Sequence, residues 1–167
     1  MVSEVNFVLF GWGFFIRIKI FLHIEKGVTI MYKKIDSSKS FVNMEKDILK
    51  FWKEKNIKLG VYSSGSVAAQ KLLFAHTTFG DLTPRFSNYF DTSIGAKREV
   101  ESYKKIRETL NLNTEKILFL SDVEQELDAA QSAGFQTIQL VREGTVPSTK
   151  HKTAKNFKEL LDLSYEF

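Results

Sequence analysis

Three short polar stretches contain the residue types that can bind and neutralise a phosphate group. Ser63 and Ser64 begin a turn rich in serine, Lys97 follows a glycine-alanine pair, and Asp122 follows an apolar run. Hydroxyl and backbone N–H groups at the start of a helix suit an anion. A lysine ammonium is a compact cation for phosphate, and a carboxylate is a ligand that Mg²⁺ prefers. The order hydroxyl, lysine, acid predicts the downstream half of a phosphotransfer site, which an aspartate nucleophile and a second acid on an earlier strand would complete.

Each of these residues also has an ordinary structural explanation. The serines could form a turn and cap a helix, Lys97 could be a solvated surface lysine, and Asp122 could cap the helix that follows it. Glu126, one helical turn beyond Asp122, is expected to support it, whereas Asp128 is expected to be a solvated helix charge. The combination at successive strand ends is more specific than any one member.

Strands and helices are predicted to alternate along most of the chain. Ile57, Leu59 and Val61 alternate with polar or small residues, as in a strand, and the continuous apolar run 117–120 is typical of a strand buried on both faces. Gly134 is the expected end of a helix. Strands are predicted at 57–62, 89–94, 117–120 and 137–141, and helices at 44–55, 67–76, 100–110, 124–133 and around Phe157, Leu160 and Leu161.

This alternation predicts an α/β fold with a Rossmann-like parallel sheet and helices on both faces. Right-handed crossovers place the carboxyl ends of parallel strands at one edge, which is where ligands bind in such sheets. The three polar stretches follow three successive strands, so we expect them to meet at that edge.

Composition excludes several classes of protein. The chain has 167 residues, a net charge of +4, 43% hydrophobic residues and no cysteine. This suits one globular domain and excludes a disordered chain, a disulfide scaffold and Cys-ligated metal. The basic surplus is spread along the chain, so no nucleic-acid partner is predicted. The absence of cysteine is consistent with a reducing compartment and a cytoplasmic location.

Residues 5–24 form the one apolar stretch long enough to raise the question of a membrane. Arg17 and Lys19 lie inside it and would be costly at the centre of a bilayer. The alternation from Phe15 to Phe21 favours a core or edge strand, with an interfacial segment or a spanning helix as the alternatives. No stable membrane insertion is therefore predicted.

Three long strings extend this reading to a known family. They are VYSSGSVAAQKLLFAHTTFGDLTP, YFDTSIGAKREVESY and ILFLSDVEQELDAAQSAGFQTIQLVREG. They resemble the enolase-phosphatase of methionine salvage, a member of the haloacid dehalogenase-like superfamily. The resemblance covers about 49–144, more than half of the chain.

The resemblance implies a Mg²⁺-dependent, cytoplasmic and monomeric phosphatase. Its substrate would be the small phosphate ester 2,3-diketo-5-methylthiopentyl 1-phosphate, which the family enolises and dephosphorylates to an acireductone. Ser63, Ser64 and Lys97 match the phosphate-binding residues of the family, and Asp122 matches its downstream Mg²⁺ ligand.

The front of the chain departs from the family pattern. The family begins with a strand ending in Asp-Ile-Glu-Gly-Thr, which supplies the nucleophile, whereas the first aspartate here is Asp36. The nearest similar string is 22–27, in which His23 stands at the position of the nucleophile. The family's helical cap domain would precede the serine turn, and residues 1–62 are expected to be too few for it.

We therefore predict a divergent segment with one or more strands at 1–42 and a haloacid dehalogenase-like core at 43–167, largely without a cap. The catalytic nucleophile stays unassigned, and weak or absent turnover is expected. The alternative is a non-catalytic phosphate-binding or interaction module on the same fold.

Overall fold

The described part of the chain forms a six-stranded sheet with three helices. The computed structural model describes residues 19–23, 57–76, 80–141, 144–155 and 159. The strands are β1 Lys19–His23, β2 Lys58–Tyr62, β3 Phe86–Phe90, β4 Ile117–Ser121, β5 Gln136–Leu140 and β6 Lys152–Ala154. The helices are α1 Val67–Ala75, α2 Val100–Leu110 and α3 Glu124–Ser132.

The order of the strands is β3-β2-β1-β4-β5-β6. The pairs β2–β3, β4–β5 and β5–β6 are parallel, which confirms the predicted α/β, Rossmann-like core. β1 is antiparallel to both β2 and β4, so a parallel sheet is the wrong prediction for this strand. Alternating apolar residues indicate that a segment is extended, but they are the same for either direction of the chain.

The core lies between the sheet and the helices. All five residues of β4 are buried, as predicted for the continuous apolar run. On α2, Tyr103 and Ile106 are buried, and Val100 and Leu110 pack against the same cluster, which confirms the predicted apolar face. The main core cluster also contains Tyr62, Phe90, Phe119, Leu127 and Phe135.

Local capping explains where several elements begin and end. Ser66 caps α1, because its side chain accepts a hydrogen bond from the backbone N–H of Ala69 at 3.2 Å. Gly134 follows α3 with φ of +92°, the left-handed conformation expected at the end of a helix. The predictions for β2, α1, α2, β4 and α3 are therefore confirmed to within about one residue.

Two strand predictions differ from the structure. β3 spans Phe86–Phe90 instead of 89–94, because Asp91 begins a turn in which Ile94 N donates to Asp91 O at 3.2 Å. β6, three residues long, was not predicted. Its hydrophobic content is too low to produce a strand pattern, and its pairing with β5 depends on contacts distant in sequence.

The predicted strand within residues 5–24 is confirmed by β1, at Lys19–His23. The rest of that stretch, the helix predicted at 44–55 and, apart from Glu159, the last amphipathic helix lie outside the described residues. Within the described ranges, no helix combines the length and the apolar character that crossing a bilayer requires. The predicted division of the chain at residue 42 stays a prediction.

Candidate phosphate-binding site

Two of the predicted site residues leave the sheet at the same edge. Ile20 of β1 pairs with Val61 on one side and with Leu120 on the other, so these two residues lie at one level of the sheet. Ser63 and Asp122 each come two residues later. Because β1 lies between β2 and β4, two strand spacings of about 4.8 Å each separate the ends of β2 and β4, which are therefore roughly 10 Å apart.

The serine turn is held against the end of β3. Ser63 is fully buried; its N–H donates to Phe90 O at 3.0 Å, and its hydroxyl accepts from Gly65 N at 3.3 Å. Ser64 is exposed. Because Ser66 caps α1, neither Ser63 nor Ser64 is needed as the cap.

Asp91 occupies the amino terminus of α1. Its Oδ2 accepts from Val67 N at 3.0 Å, and its Oδ1 accepts from the hydroxyl and the N–H of Ser93. The bonds from Ser93, then the one from Val67, hold the pKa of Asp91 below its usual value. The first N–H groups of this helix were expected to be available to an anion. That expectation is wrong for Val67, whose N–H donates to Asp91, and for Ala69, whose N–H donates to the Ser66 side chain.

Gln70 fastens α1 to the same turn. Its Nε2 donates to Gly65 O at 2.8 Å and to Phe90 O at 2.9 Å, and the residue is completely buried. Its Oε1 has no hydrogen-bond partner in the part of the chain that the structure describes. The sequence reading missed both Asp91 and Gln70. An aspartate two residues before a serine, directly after a strand, is a turn signal that could have found the first.

Lys97 contacts the end of β2 through the ring of Tyr62. Its Nζ is 5.7 Å from the centroid of the Tyr62 ring, and Tyr62 is the residue directly before Ser63. The side chain is partly buried, so Lys97 is not simply a solvated surface lysine. The structure thus places the Lys97 ammonium over the ring of the last residue of β2, and its meeting with the serine hydroxyls stays a prediction.

Tyr62 and Tyr103 lie beneath this part of the site as neutral hydroxyl groups. Burial raises the pKa of Tyr62, a hydrogen bond with the Ser102 side chain opposes this rise, and the nearby carboxylates of Glu126, Glu99 and Asp91 add to it. Burial likewise raises the pKa of Tyr103, with Glu126 as the second cause. Both phenols therefore stay protonated and can donate hydrogen bonds.

Asp122 lies between β4 and α3 and is partly exposed. The capping position before α3 is occupied by Val123, so Asp122 lies one residue before that position. Glu126, 7% exposed, accepts from the Ser121 hydroxyl at 3.0 Å, and that hydroxyl accepts from Val123 N at 3.0 Å. Glu126 therefore supports the turn on which Asp122 lies.

Asp128 is not the solvated charge that was expected. Its Oδ1 is 3.2 Å from Nε2 of the buried His151, and its Oδ2 is 3.5 Å from Nζ of Lys150. His151 in turn contacts the hydroxyl of Thr137 through Nδ1 at 2.8 Å. Asp128 thus joins α3 to the segment before β6, away from the serine turn.

The described residues do not complete a magnesium site. Within the ranges that the structure describes, no group of three His, Cys, Asp or Glu side chains is placed to hold a metal ion. Mg²⁺ requires near-octahedral oxygen coordination, and Asp122 supplies one carboxylate.

The direction of β1 moves His23 away from the site. His23 pairs with Lys58 and with Ile117, the first residues of β2 and β4. These residues lie at the edge of the sheet opposite Ser63 and Asp122. The interpretation of His23 as standing at the nucleophile's position is therefore wrong, and it is the amino end of β1 that reaches the site edge.

Sequence comparison agrees with the resemblance carried by these strings. The enolase-phosphatase E1 of Methylococcus capsulatus is 56% identical over 109 residues, 65% of this chain and 48% of the relative. The corresponding protein of Pectobacterium atrosepticum is 50% identical over the same shares. The predicted similarity to enolase-phosphatases is confirmed, and the chain spans about half the length of these curated relatives.

Solved structures share the fold. A Saccharomyces cerevisiae protein, the Unknown transcript 4 protein, matches with a TM-score of 0.54 and 32% identity over 73% of this chain and 68% of that one. The L-2-haloacid dehalogenase RSc1362 matches with a TM-score of 0.61 and 18% identity over 71% and 53%, which supports the fold alone. The family model described as haloacid dehalogenase-like hydrolase matches residues 17–134. The chain belongs to the haloacid dehalogenase-like hydrolase family.

Proposed function

We propose that this chain binds a small phosphate monoester of the kind that enolase-phosphatases act on, with Ser63, Ser64 and Lys97 as the phosphate-binding residues. The ester that the sequence resemblance implies is 2,3-diketo-5-methylthiopentyl 1-phosphate. Asp122 lies across the same edge of the sheet as the acid of the site. A Mg²⁺ requirement is part of this proposal and rests on family resemblance.

The observation that supports the proposal is the position of the Lys97 ammonium over the ring of Tyr62, the residue that directly precedes the serine turn. A phosphate monoester is doubly charged near neutral pH and needs both hydrogen-bond donors and a cation. The exposed Ser64 offers a hydroxyl donor and Lys97 offers the cation. The buried Ser63 is the second serine that the sequence resemblance assigns to phosphate binding. Two N–H groups of α1 are already used by Asp91 and Ser66, so the hydroxyls and the ammonium carry more of the binding.

The chain is expected to bind a phosphate ester but to hydrolyse it slowly or not at all. Hydrolysis through an aspartyl-phosphate requires an aspartate nucleophile, and β1, the strand between β2 and β4, contains no aspartate. Removing a nucleophile costs several orders of magnitude in turnover when the remaining groups act with it as a unit. We therefore expect phosphate binding with little or no phosphate release.

In the binding test, inorganic phosphate is titrated with the full chain, and binding is measured by ³¹P NMR. The wild type should bind, and Lys97→Gln should weaken binding by about tenfold or more, because a charge-assisted hydrogen bond is lost. Lys71→Gln is the matched control. Lys71, on α1, has its Nζ 5.6 Å from the ring centroid of Tyr89, a distance similar to that between Lys97 and Tyr62. Equal loss in both variants would indicate nonspecific attraction and would contradict the proposal.

The second candidate function is active hydrolysis, favoured by 50–56% identity to enolase-phosphatases. Phosphate release from the diketo phosphate, with Mg²⁺ and then with a chelator, separates the two. Release on the order of one per second or faster, lost with the chelator, would establish the phosphatase. Absence of release from a chain that binds phosphate supports the binding function.

A further inference from the structure

The loop that carries Lys97 is held by a row of buried hydroxyl groups. Three consecutive carbonyls of this loop each accept one hydrogen bond from such a group. The bonds are Tyr62 Oη to Gly95 O at 2.7 Å, Ser102 Oγ to Ala96 O at 2.7 Å and Tyr103 Oη to Lys97 O at 2.6 Å.

The three donors stand on regular elements. Tyr62 ends β2, and Ser102 and Tyr103 lie in the first turn of α2. Each is at most 1% exposed. We call Tyr62, Ser102 and Tyr103 the hydroxyl cradle. Because a buried hydroxyl without a partner is costly, the folded core itself favours the loop conformation that supplies these carbonyls.

The cradle also reaches the charged end of the lysine. The Tyr62 ring lies 5.7 Å from Lys97 Nζ, within the range of a cation–π interaction. The Tyr62 and Tyr103 rings meet edge to face at 84°, with centroids 5.9 Å apart, so each restrains the other. Backbone and ammonium of Lys97 are therefore restrained by the same pair of tyrosines.

Gly95 permits this close approach. Its φ is +145°, and a Cβ there would lie 2.1 Å from Ser102 Oγ. The loop can thus settle onto the cradle only when this position has no side chain.

We propose that Tyr62, Ser102 and Tyr103 are positioning residues that hold the Lys97 ammonium in one orientation beside the serine turn. A lysine side chain that is free to rotate loses rotamer entropy when it is fixed. The cradle moves part of that loss from ligand binding to folding, which strengthens phosphate binding. The inference rests on the proposed function in so far as Lys97 binds phosphate, but the orientation of Lys97 can be measured without any ligand.

The orientation is measured by NMR on the full chain with lysine labelled at ¹³Cε. A lysine ε-methylene above a tyrosine ring is shifted upfield by the ring current, and Lys97→Gln identifies the Lys97 signal by its disappearance. Tyr103→Phe removes one carbonyl contact. Ser102→Ala removes one carbonyl contact and the hydrogen bond between the Ser102 and Tyr62 side chains. Both variants keep the Tyr62 ring. In both variants the Lys97 signal should move toward that of exposed lysines.

The molecule supplies its own reference. The Lys71 signal over the Tyr89 ring should stay unchanged in both cradle variants, because the hydroxyls removed lie elsewhere. Ser132→Ala and Tyr89→Phe are matched control variants, whose hydroxyls bond Asp128 O and Thr83 O instead. They should leave the Lys97 signal in place.

Phosphate titration then measures the effect on binding. Ser102→Ala, Tyr103→Phe and Tyr62→Phe should each weaken binding of inorganic phosphate by about threefold to tenfold, the range of one hydrogen bond. Thermal unfolding of each variant shows that it is folded. Tyr62→Phe keeps the buried ring, so it serves as the most conservative variant if the others lose stability.

Two results would overturn the inference. One is a Lys97 signal that keeps its ring-current shift in Ser102→Ala and Tyr103→Phe. The other is unchanged phosphate affinity in those variants while Lys97→Gln loses it. If the wild type does not bind phosphate, the proposed function fails, and the NMR comparison alone decides whether the cradle orients Lys97.

Discussion

Gly95 illustrates how closely single residues determine the geometry of this site. Its φ of +145° lies in a region that side chains other than glycine rarely adopt, and the missing Cβ leaves room for the Ser102 hydroxyl. Two separate physical effects, backbone strain and steric contact, therefore act at one position.

We predict that Gly95→Ala destabilises the fold by about 2–4 kcal/mol and weakens phosphate binding, because strain and overlap add. Denaturant unfolding and phosphate titration check this. Gly80→Ala is the control for strain alone, since Gly80 has φ of +84° and no atom within 4 Å of its Cβ position.

A second variant separates the two effects at Gly95. Adding Ser102→Ala removes the overlapping oxygen, although the Ser102 Cβ stays 3.1 Å from the new methyl group. The double variant should recover part of the stability lost in Gly95→Ala, a coupling that a double-mutant cycle measures. Strict additivity of the two substitutions would contradict the steric argument.

Among the elements, α1 is joined to the end of β3 by two polar side chains. Asp91 receives the first N–H of α1, and Gln70 bridges the serine turn and Phe90 O. These contacts join residues 20–24 positions apart in sequence. The orientation of the serine turn thus depends on β3 as well as on β2.

Asp91 should make stability depend on acid. Its pKa is lowered from 3.8 in the folded chain, so the folded state favours the carboxylate. Its contribution is fully present above the unfolded value and is lost as the pH falls through the folded value. Asp91→Asn removes the negative charge near the amino terminus of α1 and should therefore reduce the unfolding free energy at neutral pH by about 0.3–1 kcal/mol. The variant should also lose less stability below pH about 4.

Denaturant unfolding from pH 7 down to acid checks this, with Asp81→Asn as the comparison. Asp81 also has a lowered pKa, from its bonds to Thr83, but lies at the surface away from the serine turn. In both variants the unfolding free energy should fall less steeply as the pH is lowered, whereas only Asp91→Asn should weaken phosphate binding. An unchanged phosphate affinity in Asp91→Asn would show that the serine turn does not depend on this carboxylate.

The direction of β1 leads to a prediction about chemistry. A carboxylate at His23 would lie beside Lys58 and Ile117, across the length of the sheet from the serine turn. His23→Asp should therefore leave phosphate release within about twofold of the wild type. A gain of tenfold or more would contradict the antiparallel placement of the strand. Retained phosphate binding shows that the variant is folded.

For the whole molecule, local patterns predicted most of the fold. The buried run of β4, the apolar face of α2 and the glycine after α3 all follow from short-range rules. The direction of β1 and the existence of β6 were not predictable in this way. Both depend on pairing between segments distant in sequence, which a pattern of one segment does not contain.

The candidate site was predictable in part for the same reason. Residues at strand ends were identified because their position follows from the order of elements. Tyr62 and Tyr103 look like ordinary core residues in the sequence, and Ser102 like an ordinary helix residue. Their bonds to one loop become visible only when β2 and α2 are placed side by side, as with Tyr62 and Gly95, 33 positions apart.

In the sheet, β1 is the seam between two blocks of parallel strands, β3-β2 on one side and β4-β5-β6 on the other. The block β3-β2 carries the serine turn and is followed along the chain by the loop that contains Lys97. The block β4-β5-β6 carries Asp122. If β1 detached, its backbone amides would become exposed to solvent. The block that carries the serine turn and the block that carries Asp122 could then separate, while the hydrogen bonds between strands within each block remained. Hydrogen exchange along five residues of backbone would then report whether the pocket is assembled.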